Sequence, residues 1–189
     1  MSALDLFVAY KFIKMLSTPF VKTDAYKLGI IDKDGNILKK KKELKTGKEK
    51  IAYTIFHRLA WNLKKLLNRF PPTKTRLGSF AAALFLLREH ANCKDDTLVE
   101  RAFLDFLNSN GYDIVITESL EEAVLSKGDY TLKVDLQTDD GPINKGDIVR
   151  TEKDKKNFQR MLGKPLFKVT HLKTGKELVV SDEDLERIK

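Results

Sequence analysis

The chain has 189 residues, of which 42% are hydrophobic, and this is enough for a packed core in one domain or in two small ones. Its single cysteine, Cys93, excludes an intramolecular disulfide and favours a reducing compartment. The formal net charge is +8, but residues 1–110 hold 21 basic and 11 acidic side chains, whereas residues 111–189 hold 14 and 16. The positive charge therefore belongs to the N-terminal part, at a net +10 against −2.

The first segment predicts a helix. Apolar residues recur at helical spacing over residues 3–16, and Pro19 ends the pattern. Asp5 lies within this apolar segment, and no small-residue cleavage site follows it. Both features argue against a secretory signal. The length and the hydrophobic content predict a folded, soluble protein.

The next segment, IIDKDGNIL at residues 30–38, suits either a calcium-binding loop or a hairpin turn. If Gly35 took the sixth position of an EF-hand loop, Ile30 and Lys41 would stand at the first and twelfth positions, where acidic ligands are needed. An Asp-Gly or Gly-Asn pair between two apolar runs instead favours a tight hairpin. We therefore predict a short β-hairpin with Gly35 at positive φ, and no metal site.

The densest positive charge follows in KKKKELKTGKEK, residues 39–50. Such a run favours polyanions through counterion release and favours an acidic protein partner equally well, although many charge runs are only solvated loops. The loop enters a helix that carries a polar stripe opposite its apolar face. We therefore predict one polyanion-binding surface, formed by Lys39, Lys40, Lys41, Lys42, Lys45, Arg58, Lys65 and Arg69.

Three further helices are predicted before Gly111. The second helix runs over residues 49–68 and is stopped by two prolines. The third, over residues 76–90, is apolar nearly all round, but its apolar run is too short to span a bilayer, so it is expected to be buried. The fourth, over residues 97–108, has Asp95 or Asp96 available as its cap.

After Gly111 the hydrophobic period changes from helical to strand-like. Residues 112–117 and 129–136 are predicted strands, a short helix is predicted from Ser119, and residues 138–146 are predicted to be a surface loop. Three more β-rich runs with a Thr-Gly turn resemble the small five-stranded barrels of Src-homology and translation-factor proteins. The sequence thus predicts an α+β protein, with a basic helical domain over residues 1–110 and a small β-rich, barrel-like domain over residues 111–189.

No arrangement typical of catalysis occurs in the sequence. The histidines His57, His90 and His171 are scattered and lack the spacing of a helical zinc pair. Ser79 lacks the strand-turn-helix context of a hydrolase nucleophile, and the acids of residues 181–186 are typical of a solvated terminal cap. We predict a protein that is not an enzyme and has no cofactor and no catalytic residues.

Aromatic residues lie close to basic ones in the first 61 residues, as they do in proteins that stack single-stranded bases. Trp61 lies off the main apolar stripe of its helix, so it is either an exposed anchor or packs against the first helix or the hairpin. Packing is the favoured alternative.

Two stretches carry a family resemblance. The block TPFVKTDAYKLGIID at residues 18–32 and the helix SFAAALFLL at residues 79–87 resemble structural proteins of T-even-like contractile-tail phages, the minor components of the prohead core. The similarity spans residues 6–90. It implies a protein made in the host cytoplasm and packed into the immature head, with scaffold and capsid proteins and DNA as partners and no membrane. It leaves self-association open, and the barrel-like C-terminal part departs from the family.

The resemblance also implies cleavage by a prohead protease after glutamate in a Leu-or-Ile-x-Glu motif. Glu118 and Glu122 end such motifs at the predicted domain boundary and are the candidate processing sites. Glu89 and Glu100 match too, but they fall in predicted helices. Two classes of function stay open: a non-enzymatic phage head protein, and a nucleic-acid-binding accessory or regulatory protein that uses the basic helical surface and the small barrel.

Overall fold

The computed structural model of the chain describes residues 3–73, 77–91, 95, 97–116, 121–138 and 141–189. The chain divides into two compact units: Met1–Pro71 with Leu87–Asn110, and Pro72–Leu86 with Gly111–Lys189. Helices fill the N-terminal half and a strand-rich region fills the C-terminal half, so the predicted α+β class is confirmed. The division after Asn110 falls where the predicted domains meet, whereas residues 72–86 group with the second unit.

The described α-helices are α1 Ala3–Ser17, α2 Asp24–Lys27, α3 Gly47–Ala52, α4 Ile55–Arg69, α5 Leu77–Ala91 and α6 Leu98–Ser109. They follow the predicted order with two differences, the first of which is that the short helix α2 was not predicted. The second is that the single helix predicted over residues 49–68 is two helices, because Thr46 caps α3 and Thr54 caps α4, each accepting a hydrogen bond from the backbone N–H three residues later. Asp95 accepts from the backbone N–H of Thr97 at 3.0 Å, just before α6.

The first unit has its core where α1 packs against α4 and α6. The rings of Phe12 and Phe103 are fully buried there, with centroids 6.2 Å apart. The predicted hairpin turn is confirmed, since Ile31 and Ile37 form a β-bridge and Gly35 has φ +81°. Asp32 Oδ1 closes the turn by accepting the backbone N–H groups of residues 34 and 36.

The second unit is built on one antiparallel sheet. Its strands are β2 Gly128–Leu132, β5 Ile148–Thr151, β7 Gln159–Met161, β8 Lys164–His171, β9 Glu177–Ser181 and β10 Leu185–Arg187. In this sheet β10, β2, β5 and β8 follow one another, and β8 also pairs with β7 and β9. Among the described strands this sheet does not close on itself, so the barrel-like expectation is wrong in that respect.

Two small ribbons complete the strands of this unit. They are formed by β1 Val124–Leu125 with β6 Lys155–Lys156, and by β3 Leu136–Thr138 with β4 Gly141–Ile143. The loop predicted over residues 138–146 is therefore partly a hairpin, with residues 139–140 outside the described part. Alternating burial along β5 and β8 directs apolar side chains into one core that includes Val149, Phe167 and Val180.

Two predicted elements near residue 120 are wrong. Residues 112–116 have no regular structure where a strand was expected, and residue 117 lies outside the described part. The helix expected from Ser119 is absent from the described residues 121–128, and Ser119 itself is not among them. Ala123 N donates to Asn157 Oδ1 at 2.9 Å and Glu122 pairs with Lys156 at 2.6 Å, so pairing with a distant segment outweighs local helix propensity.

Within the described residues, no helix is both long enough and apolar enough to cross a membrane. The first ten residues of α5 belong to the second unit, where they meet the 3-10 helix Asp182–Asp184. A Cβ added at Gly78 would lie 2.7 Å from the Ser181 Cβ. Glycine at this position therefore permits the close approach of α5 to the end of the sheet.

Candidate binding groove in the helical unit

The predicted polyanion-binding residues are not equally available. Arg58 is only 7% exposed, because it lies on the face of α4 that is buried together with Leu59 and Ala60. The prediction that Arg58 belongs to an exposed polar stripe is therefore wrong. Lys65 is half-buried, and burial, followed by the nearby Arg69, lowers the pKa of its ammonium.

The lysine run is mostly exposed. Lys40, Lys41, Lys42 and Lys45 are exposed, with the middle two in the 3-10 helix Lys41–Glu43. Lys39 differs, because its Nζ pairs with Glu49 Oε1 at 3.0 Å and donates to a backbone carbonyl at 3.2 Å. Of the predicted set, the side chains of these four lysines and of Arg69 are exposed.

A second basic feature was not predicted. The helices α1 to α4 and the 3-10 helix Phe20–Lys22 line an open groove of about 1090 Å³, here called the lysine groove. All of its lining residues belong to the first unit. Its basic lining residues are Lys11, Lys14, Lys22, Lys27, Lys48 and Lys50. Its larger apolar and aromatic lining residues are Phe7, Tyr10, Met15, Leu28, Ile51 and Trp61.

Three of the apolar side chains in this groove are well exposed: Phe7 at 59%, Tyr10 at 64% and Ile51 at 74%. The helix α1 is apolar on more than one face, since Phe12 and Leu16 pack into the core while Phe7 and Tyr10 remain outside it. Contiguous exposed apolar surface of this kind is unusual in a monomeric protein and marks binding sites. The exposed apolar face of α1 therefore needs an explanation other than packing in this unit.

The charge around the groove is almost entirely positive. Within the parts of the chain that the structure describes, Lys27 is the only one of the six lysines with a carboxylate within 4 Å, that of Asp24 at 3.4 Å. Two of the others lie against aromatic rings: Lys11 Nζ is 5.3 Å from the centre of Phe56, and Lys14 Nζ is 5.9 Å from the centre of Tyr10. The groove therefore presents positive charge that is not neutralised locally.

The inner end of the groove is aromatic. Trp61 is 3% exposed, and its ring stacks on Tyr53 with centroids 5.8 Å apart and meets the edge of Phe20 at 5.9 Å. The prediction that Trp61 packs, rather than serving as an exposed anchor, is confirmed, although Tyr53 and Phe20 lie outside α1 and the hairpin, which were the expected partners. His57 lies 5.2 Å from the indole, and its Nδ1 is 2.7 Å from Thr54 Oγ1. Burial, and then Lys11, lower the pKa of His57 to about 4, so the imidazole is neutral at pH 7.

Sequence reasoning missed this groove because its lysines are spread over 40 positions and come from four separate elements. Only Lys48 and Lys50 belong to the run that the charge count singled out. One signal was available: α1 carries more apolar residues than one buried face requires, with Leu4, Leu6 and Phe7 in addition to the core stripe.

The candidate processing sites differ in what can be described. Glu118 lies outside the described residues. Glu122 is exposed in a segment with no helix, whereas Glu89 and Glu100 lie within α5 and α6.

No group of three or more metal-binding side chains occurs in the described part of the chain. No protein-family model, curated protein or solved structure matches the chain.

Proposed function

We propose that this chain is a non-enzymatic structural protein of a phage head, a prohead core or head-associated component that contacts scaffold or capsid proteins through its helical unit. The observation that carries the proposal is the lysine groove, in which exposed apolar side chains lie among lysines with few acidic partners. This combination suits a protein surface that is both acidic and partly apolar.

The setting comes from the resemblance of residues 18–32 and 79–87 to prohead core proteins. The first of these blocks forms the 3-10 helix Phe20–Lys22, α2 and the first arm of the hairpin. It contributes Lys22, Lys27 and Leu28 to the lysine groove. The segment with the most specific resemblance is therefore also part of the surface proposed to bind a partner.

The test is to isolate proheads and mature heads from infected host cells on a density gradient and to quantify this chain by mass spectrometry against the major capsid protein. We expect the chain to sediment with proheads at a constant ratio to the capsid protein. Wash steps at rising salt should release it, because the proposed contacts include charge pairs. Absence from both proheads and heads would contradict the proposal.

A second candidate function is a nucleic-acid-binding accessory protein, favoured by the exposed ring of Tyr10 beside the ammonium of Lys14. A salt titration with labelled single-stranded and duplex DNA separates the two candidates. A nucleic-acid-binding protein loses affinity steeply and linearly on a log–log plot as salt rises. No binding at about 0.1 M salt removes this candidate.

A further inference from the structure

We infer, on the basis of the function proposed above, that the lysine groove binds one face of an acidic amphipathic α-helix from a partner protein. The occupant would place an apolar stripe on the side chains of Phe7, Tyr10 and Ile51 and its flanking glutamates or aspartates on the surrounding lysines. This is the helix-in-groove mode, in which anchors at positions i, i+3, i+4 and i+7 enter a hydrophobic groove.

The exposed apolar side chains of the groove indicate whether a protein helix or a nucleic acid is the better ligand. Phe7, Tyr10 and Ile51 are each more than half exposed, and Met15 and Leu28 add to the same lining. Burial of such surface is worth about 25 cal/mol per Å², so the favoured ligand is one that covers it with apolar groups. A phosphate backbone brings charge but no apolar surface, and stacked bases would use Tyr10 but leave an aliphatic side chain such as Ile51 uncovered.

The positive charge of the groove comes from separate elements. Lys11 and Lys14 lie on α1, Lys48 and Lys50 on α3, and the remaining two lysines on the segment between them. An amphipathic helix carries its charged residues on both borders of its apolar stripe. Acidic residues at those borders meet lysines from different walls of the groove, which gives the complementarity that fixes orientation and excludes basic partners.

The size of the groove agrees with such an occupant. A helix with its side chains is about 10 Å across and rises about 5.4 Å per turn, so two turns occupy roughly 850 Å³. The groove measures about 1090 Å³. The groove is therefore large enough to receive one face of a helix of at least two turns.

The experiment titrates the full chain into a fluorescently labelled peptide of about 20 residues, designed with leucines at helical spacing and glutamates on both borders of that stripe. A peptide of the same composition, scrambled to remove the stripe, tests whether the apolar side chains matter. Labelled oligothymidine and vesicles containing anionic lipid test the other chemistries that lysines attract. All titrations are made at about 0.15 M salt.

Matched variants locate the binding. The groove variant carries Lys14→Glu, Lys22→Glu and Lys48→Glu, and the control variant carries the same change of charge at the exposed Lys41, Lys42 and Lys45, none of which lines the groove. We expect the groove variant to weaken binding of the amphipathic peptide at least about tenfold and the control to weaken it less than about twofold. The single change Ile51→Asp, at a residue 74% exposed, should weaken it at least about fivefold without affecting folding.

Three results would overturn the inference. The first is equal loss of affinity in the groove and control variants, which would mean diffuse attraction between opposite charges. The second is equal binding of the amphipathic and scrambled peptides. The third is tighter binding of oligothymidine or vesicles than of the peptide. Failure of the peptide to bind while the chain still sediments with proheads refutes this inference alone, whereas peptide binding by a chain absent from proheads refutes only the proposed function.

Discussion

The hydroxyl of Ser79 donates a hydrogen bond to Asp184 Oδ1 at 2.8 Å, which links residues 105 positions apart within the second unit. The backbone N–H of Gly78 also donates to Glu183, and Glu183 pairs in turn with Lys164. The 3-10 helix Asp182–Asp184 thus supplies carboxylates to the start of α5, where unpaired N–H groups and the helix dipole favour negative charge. The acidic residues at 181–186 were expected to form a solvated cap, but one of them, Asp184, is buried at only 3% exposure.

The burial of Asp184 makes the second unit sensitive to pH. Burial raises the pKa of this carboxyl to about 6, against the lowering effect of its bond from Ser79. Because the folded-state pKa lies above the ordinary 3.8, the associated stability is fully present below pH 3.8 and is lost as pH rises through about 6. We expect this group alone to contribute up to about 3 kcal/mol more at pH 4 than at pH 7.5.

Hydrogen exchange followed by mass spectrometry measures this effect locally, in amides of β8 and β9. Asp184→Asn is the control, because its side chain keeps its shape but does not titrate. The difference in protection between pH 5 and pH 7.5 should shrink in the variant. An unchanged pH dependence would mean that Asp184 does not control it.

The first unit should respond to pH in the opposite direction through His57. The folded-state pKa of about 4 lies below the ordinary 6.5, so the stability associated with the neutral ring is present above pH 6.5 and is lost as pH falls towards 4. Trp61 is the only tryptophan and lies 5.2 Å from this imidazole, so its fluorescence during urea unfolding reports on this unit.

We expect the urea midpoint of the first unit to fall between pH 7 and pH 4.5 in the original chain. In His57→Gln, which keeps a polar group near Thr54 without a titrating ring, the fall should be smaller. Equal falls in the two proteins would show that other groups cause the acid sensitivity.

Two glycines near the groove give a matched test of packing. Gly35 has φ +81°, and an added Cβ would lie 2.5 Å from the ring of Phe20. Gly29 has φ +65°, but nothing lies within 4 Å of its added Cβ. Gly29→Ala should therefore cost about 1 kcal/mol from backbone strain alone, and Gly35→Ala about 3 kcal/mol because the ring must also move. Urea unfolding followed by Trp61 fluorescence measures both, and equal costs would contradict the packing described for Gly35.

Glutamate-specific proteolysis of the folded protein should cut within residues 110–127 before it cuts within residues 76–108. Glu122 is exposed and not helical, whereas Glu89 and Glu100 lie in helices, and a protease needs about six to eight residues of extended chain. The pair of Glu122 with Lys156 holds this segment, so Lys156→Ala should speed cutting at Glu122 and leave the helical sites unchanged. First fragments ending at residue 89 or 100 would refute this prediction.

Local patterns were sufficient to predict most of the helices, the hairpin around Gly35 and the longer strands β2, β5, β8 and β9, because each depends on periodicity or turn chemistry within one segment. These patterns failed where contacts between residues distant in the sequence determine the local structure. Asn157 and Lys156 bind residues 122–123, which form no helix, and the face of α4 that carries Arg58 is buried. The lysine groove escaped prediction for the same reason, since its lysines approach only after four helices have packed.

Carbodiimide cross-linking of isolated proheads tests the central claim most directly, because it joins lysine amines to carboxylates in direct contact. Mass spectrometry then identifies both partners. The account predicts cross-links from Lys14, Lys22, Lys48 or Lys50 to acids spaced three or four residues apart in one partner segment. Cross-links confined to Lys41, Lys42 and Lys45, with none from lysines of the groove, would contradict it.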